Sequence, residues 1–191
     1  MFDREAPFEL RIQDPKQGPQ EVGTLEAIRV KVLILGGLGQ NQIQNVKVEL
    51  TSENDLFFHY THTVTEDSFR HMQEQQKLMV DFQEYANIFV KMANSCIKEP
   101  HSNLAVFIMN RDGTAKLDFI QNIEYKFIEL LSCDFMASSE EVVRQSITYR
   151  YNSVKSKVQL MEARLKDVNN LVKVKNPSLL LQLQKAQPNA H

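Results

Sequence analysis

The sequence predicts an α+β protein: a seven-stranded antiparallel β-sandwich or barrel head with a two-helix insertion, followed by a long C-terminal stalk helix. Three observations carry this expectation. Short runs of alternating apolar and polar residues, punctuated by turn residues, fill most of residues 1–137. Within residues 65–98 the apolar spacing changes from two to three or four, which is helical. From Ile147 to Val172 the apolar residues then follow in strict steps of four and three. The expected organisation is a head over 1–137, a stalk over 138–175 and a short Leu-rich tail over 176–191.

Phe8 to Ile12 alternates and forms the first strand, before a Pro/Gly/Gln loop from Asp14 to Gly23. Leu25 to Leu35 forms the second, with Ile28, Val30, Val32 and Ile34 on one face. The following Gly36-Gly37-Leu38-Gly39 lacks the Gly-Lys-Ser/Thr ending of a phosphate loop and precedes a strand, so it reads as a hairpin turn. Val46, Val48 and Leu50 face inward from the third strand, and Leu56, Phe58, Tyr60 and Val64 from the fourth. Thr65 caps the first inserted helix, with Glu66 and Asp67 in its first turn and its end at Gln76. The second helix carries Phe82, Tyr85, Phe89, Met92 and Cys96 on one face and stops before Pro100. Leu104–Met109 and Ala115–Gln121 form a hairpin around Asp112-Gly113, where a tight turn needs positive φ. The last strand is expected over Ile123–Cys133, with Tyr125, Phe127, Glu129 and Leu131 on one face and Ile128 and Leu130 on the other.

The stalk is predicted to start at a Ser138/Glu141 capping box and to end at Asn176-Pro177. At 1.5 Å per residue such a helix is about 50 Å long, more than a small domain's width, and is expected to project from the head. Ile147, Tyr151, Val154, Val158, Met161, Leu165, Val168 and Val172 form its seam. Two apolar positions per heptad suit a partner helix better than a globular core, which wants a broader stripe. The charge pairing is mixed: Lys157 and Glu162 attract across a parallel pair, whereas Arg150 and Lys155 repel. The expected coiled coil is weak and needs help from elsewhere.

Net charge is −2, with 24% charged residues, which argues against a protein built to neutralise nucleic-acid phosphates. Met1 to Leu10 is charged and contains a proline, unlike a signal peptide, and no apolar run has transmembrane length. A soluble intracellular protein is expected. Cys96 and Cys133 sit within apolar patterns and read as buried free thiols. His59, His62, His71, His101 and His191 show no metal-ligand spacing, and no carboxylate pair or nucleophile–base pattern stands out. No enzyme, cofactor, metal site, membrane contact, nucleic-acid partner or small-molecule substrate is therefore expected. Phe135 and Met136 differ from these, because they fall in what reads as a connection between the last strand and the stalk cap. Large apolar side chains there either fold back on the head or reach a partner. The residues alone leave both readings open.

The run Leu50-Thr-Ser-Glu-Asn-Asp-Leu-Phe-Phe-His-Tyr60, continuing through Thr65-Glu-Asp-Ser-Phe69 and Gln75-Gln-Lys-Leu-Met-Val-Asp-Phe82 to Phe89, resembles the defining stretch of the centriolar cartwheel family, spindle assembly abnormal protein six. The resemblance implies a β-sandwich head with a helical clamp, a parallel stalk dimer and a head-to-head contact linking dimers into rings. In that family a bulky apolar residue enters a pocket on the neighbouring head, and the resemblance places Phe135, with Met136 beside it, in that role. A seam ending near Val172 looks like the short "like" branch, which implies a basal body, flagellum base or apical cytoskeleton. The implied partners are further copies of the chain and other cytoskeletal proteins. The rival reading is a head-and-stalk scaffold of the DNA end-joining type, binding protein partners and DNA. Against it, the stretch Ser178 to His191 carries only Lys185.

Overall fold

The computed structural model describes residues 2–13, 23–36, 43–175 and 178. Two compact units divide the chain, Met1–Val143 and Arg144–His191. The predicted Leu-rich tail apart from Ser178, the Gly37–Gly39 part of the glycine turn and residues 14–22 of the predicted first loop lie outside the described residues.

In the first unit seven strands, β1 (Phe2–Gln13), β2 (Thr24–Gly36), β3 (Ile43–Ser52), β4 (His59–Thr65), β5 (Asn103–Asn110), β6 (Thr114–Ile123) and β7 (Lys126–Ala137), close into a barrel in the order β1-β2-β3-β4-β7-β6-β5. All pairings are antiparallel except β1 with β5. Alternation supplies the core: Phe8, Ile28, Val30, Val46, Val48 and Leu50 are fully buried. Phe107 stands at its centre, with the rings of Tyr60, Phe135, Phe58 and Phe8 at 5.1, 5.6, 5.7 and 6.5 Å. Gly113 turns the β5–β6 hairpin at φ 86°, which a side chain would resist. At the ends of the apolar runs the expected inward faces do not hold: Ile34 and Leu56 are exposed, and β4 begins only at His59.

The inserted helices α1 (Glu66–Gln76) and α2 (Phe82–Lys98) pack on the outside of the barrel, α1 at β4 and α2 mainly at β1 and β5. Thr65 caps α1 as expected, exchanging hydrogen bonds with Ser68, and Lys77 ends it in the left-handed region. The β4–β7 ladder has only the pairs Tyr60–Ala137 and Thr61–Met136. Beyond them β7's backbone groups need other partners. Gln76 of α1 supplies two, donating to the Ser132 carbonyl at 2.7 Å and accepting from the Ser132 N–H at 2.9 Å. Gln83 of α2 does the same for Ile43 of β3, at 3.4 and 3.0 Å. Two glutamine amides thus stand in for missing strand neighbours and fix the helices on the barrel.

Helix α3 (Glu140–Lys175) begins one residue later than a Ser138 cap requires, which leaves Ser139 at the cap position. The Ser138 hydroxyl instead lies 2.8 Å from His59 Nδ1, and its N–H donates to the His59 carbonyl. Val143 is the one buried residue of this helix. In the second unit the middle of the seam, from Tyr151 to Val168, is uncovered, between 47% exposed at Val158 and 67% at Met161, while Ile147 and Val172 at its ends are partly buried.

Candidate functional site

Strand β7 departs most from the sequence expectation. The predicted strand Ile123–Cys133 is in fact the end of β6, a turn at Glu124-Tyr125, and β7, which continues to Ala137. Phe135 therefore lies in a strand, paired with Ala115, and is 3% exposed. Its ring packs on Phe107 and His62 at 5.6 and 5.1 Å. The expected role of Phe135 as a head-to-head insertion residue is corrected: it belongs to the core, in register with buried Leu131 and Cys133. Met136 points outward at 55% exposed, between Thr61 and Thr114, at the end of β7 that leads into α3.

A register shift explains the other misread face. Phe119 pairs with Leu131, but the next residue, Ile120, pairs with Glu129, so Leu130 is an extra residue in β7. One extra residue reverses the side-chain parity beyond it. Phe127 and Glu129 consequently face outward, although simple alternation places them with Leu131. Towards the turn, Ile123, Phe127 and above all Tyr125, 95% exposed, form an apolar tip in water.

Next to this tip is a cavity of about 290 Å³ between α2 and strands β5, β6 and β7. Phe119, held edge-on against Phe89 at 5.2 Å, and Leu104, Ile120 and Leu130 supply apolar lining. Lys91, Ser95, Asn103 and Gln121 supply polar groups. The volume is just below the range of small-molecule sites, which begins at about 300 Å³, and suits one large side chain. Cys96 lines the cavity too, but burial pushes its thiol up to about 11, so the reactive thiolate is scarce at neutral pH.

The position of α2 relative to the barrel depends on a buried hydrogen-bond chain that sequence reading missed. His62 Nδ1 lies 2.6 Å from the Asp134 carbonyl, which can only accept, so Nδ1 carries the proton. Nε2 then accepts from the Tyr85 hydroxyl at 2.7 Å, and the Tyr85 oxygen accepts from the Cys133 thiol at 3.4 Å. Burial lowers the His62 pKa and raises that of Tyr85 well above its usual value, and it pushes the Cys133 thiol up to about 12. All three groups are therefore neutral at pH 7, and the chain links β4, α2 and β7. Three polar residues at inward positions of apolar runs were its signal, but nothing in the linear order pairs them.

Both cysteines are buried and free. Among the described residues no cluster of His, Cys, Asp and Glu could hold a metal ion, and no helix is long and apolar enough to cross a membrane.

A family model described as the centriolar protein SAS N-terminal domain matches residues 1–135. The chain belongs to the SAS-6 family. Curated relatives include the spindle assembly abnormal protein 6 homologs of Gallus gallus, 23% identical over 147 residues, and Danio rerio, 22% identical over 131 residues. These matches cover 73% and 64% of this chain but only 23% and 21% of the relatives, so the chain spans less than a quarter of their length. Among solved SAS-6 structures, a Leishmania N-terminal fragment containing parts of its coiled coil superposes with TM-score 0.73 at 18% identity, covering 97% of this chain and 98% of that one. A Drosophila melanogaster fragment dimerised via the coiled-coil domain gives 0.70 at 14%, over 97% and 90%. The C. elegans N-terminal coiled-coil dimer gives 0.67 at 12%, over 87% and 96%. Seven strands with helices and a C-terminal helix thus match the fold of the SAS-6 N-terminal head and coiled-coil structures. SAS-6 relatives are centriolar structural proteins, and the DNA end-joining alternative is not favoured.

Proposed function

We propose that this chain is a self-assembling structural subunit of a centriole or basal body, with the flagellum base and the apical cytoskeleton as the related settings. Two self-contacts build the assembly, a parallel coiled coil along α3 and a head-to-head contact at the β6–β7 tip. The observation that carries the reading is the uncovered seam: Tyr151, Val154, Val158, Met161, Leu165 and Val168 are all about half exposed or more in the single chain. A regular apolar stripe at heptad spacing left in water calls for a partner helix. Ile147 and Val172 extend it at either end. Relatives of the same fold are described as coiled-coil dimers, which supports a second copy as that partner.

For the head contact, the tip replaces Phe135 and Met136. Met136 is eleven residues from Tyr125 along β7, roughly 36 Å at 3.3 Å per residue, too far to share one small contact. Tyr125 and the cavity, in contrast, lie at one end of the head, with Gln121 only roughly 13 Å along the chain. A two-fold contact then places each tip in the other head's cavity. The two buried aromatics of such a contact contribute about 3–6 kcal/mol together, around the ~4 kcal/mol of a millimolar complex and below the ~8 kcal/mol of a micromolar one. The head contact is therefore weak alone and gains from tethering on a dimeric stalk. One self-complementary contact makes only a dimer, whereas two on the same chain continue into rings or filaments.

Sedimentation of the full chain over a concentration series tests both contacts. The parent should grow beyond a dimer. Val158→Asp with Leu165→Asp should leave only weak head-linked pairs, Tyr125→Glu should leave only stalk dimers, and the combined variant should be a monomer. A parent that stays monomeric at every concentration defeats the proposal.

A further inference from the structure

Tyr125 differs from a purely apolar insertion residue in carrying a hydroxyl, and the cavity beside it differs from a purely apolar pocket. Building on the head-to-head contact proposed above, we propose that the Tyr125 phenol is read by hydrogen bonds in the neighbouring head, which makes the contact selective for a second copy of this chain over a head that presents a phenyl ring. The cavity walls supply the necessary groups. Asn103 and Gln121 are direct neighbours across the β5–β6 ladder, so both side chains stand on one face and both line the cavity. Among the described residues neither amide is spent on a hydrogen bond inside the head. Ser95 uses its hydroxyl hydrogen on the Lys91 carbonyl at 3.0 Å, which leaves its oxygen lone pairs to accept. Lys91 adds a cationic donor on the same wall.

These groups match the two needs of a phenol, which donates one hydrogen and accepts another. The amide or hydroxyl oxygens of Gln121, Asn103 and Ser95 accept from it, and an amide N–H or the Lys91 ammonium donates to it. The apolar lining of Phe119, Ile120, Leu104 and Leu130 receives the ring. A phenyl ring in the same place fits the apolar part but covers the polar groups without replacing the water they lose, which is the stronger basis of discrimination. The occupant is a second copy because insertion residue and cavity lie at one end of the same head, the arrangement a two-fold contact requires.

The experiment uses the full chain carrying Val158→Asp and Leu165→Asp, so that only head contacts remain, and reads the association constant by sedimentation equilibrium. Tyr125→Phe should weaken association by roughly thirtyfold, the scale of two net hydrogen bonds, one lost at each tip of a two-fold contact. Replacing both amides, Asn103→Leu with Gln121→Leu, should weaken the parent similarly and restore the Tyr125→Phe head to nearly its partner's affinity. If Tyr125→Glu abolishes association while Tyr125→Phe associates as tightly as the parent, the tip contact stands and the reading of the phenol is overturned. If Tyr125→Glu leaves association unchanged, the tip contact itself is wrong and the selectivity falls with it. Equal thermal unfolding of the Tyr125 variants, expected for a side chain 95% exposed, confirms that binding and not folding is measured for them.

Discussion

The head and the stalk spend their apolar residues in opposite ways. In the head, alternate residues from seven strands and one face of α2 meet in a common core, and Phe8, Phe89 and Phe107 reach zero exposure. In the stalk, a 36-residue helix has one buried side chain, Val143, while the middle of its seam, from Tyr151 to Val168, stays in water. The head thus buries its apolar residues within one chain, and the stalk leaves most of its own exposed. Helices without tertiary packing are marginal, so α3 depends on what covers the seam. The difference teaches that an apolar residue's role is decided by whether its own chain supplies the neighbours.

One kind of substitution, apolar to smaller or charged, should separate the two regions, and Phe135 should show the largest effect. Phe135→Ala removes a ring packed between His62 and Phe107 and should destabilise the head by about 3–5 kcal/mol in denaturant titration. If stability is unchanged, Phe135 is not a core residue and the registry of β7 given above is wrong. Val158→Asp with Leu165→Asp should leave the head's unfolding transition in place while helical content and dimerisation are lost together. Loss of the head transition as well would show that the two regions fold as one. Tyr125→Glu, although in the head, should behave as the stalk does, with association lost and the thermal midpoint moved by no more than a degree or two.

The smallest expected effect is acid sensitivity confined to the head. His62 has its pKa lowered by burial, so the folded head prefers the neutral ring and the unfolded chain binds more protons. The stability this confers is present in full above the ordinary histidine pKa of about 6.5 and is lost as pH falls from there towards the lowered folded value. The groups facing His62 are Tyr85 and, through it, Cys133, with the Asp134 backbone on the other side. Protonation at Nε2 forces the Tyr85 hydroxyl to turn and leaves the Cys133 thiol without its acceptor. Denaturant midpoints between pH 7 and pH 5 should fall for the parent and stay level for His62→Gln, which is less stable at pH 7. Parallel curves for the two proteins would remove His62 as the cause. The carboxylates with lowered values, Asp3, Glu49 and Asp112, act further into acid and do not obscure this window.

Local periodicity determined much of this protein. Alternation located the strands and most of their inward faces, as at Val46, Val48 and Leu50. Three-four spacing located both inserted helices, and Thr65 marked the start of α1. Periods and caps are legible because they depend on residues a few positions apart. Tertiary structure decided what depends on distant segments. The extra residue Leu130 is recognisable only against its partners in β6, and it moves Phe127 and Glu129 to the outer face. Phe135 is core because Ala115, Phe107 and His62 surround it, although its neighbours in the chain read as a connection. Tyr125 reads as a strand residue until the β6–β7 turn places it in water beside a cavity. His62, Tyr85 and Cys133 are separated by 23 and 48 positions along the chain, and only closure of the barrel under α2 brings them to hydrogen-bonding distance.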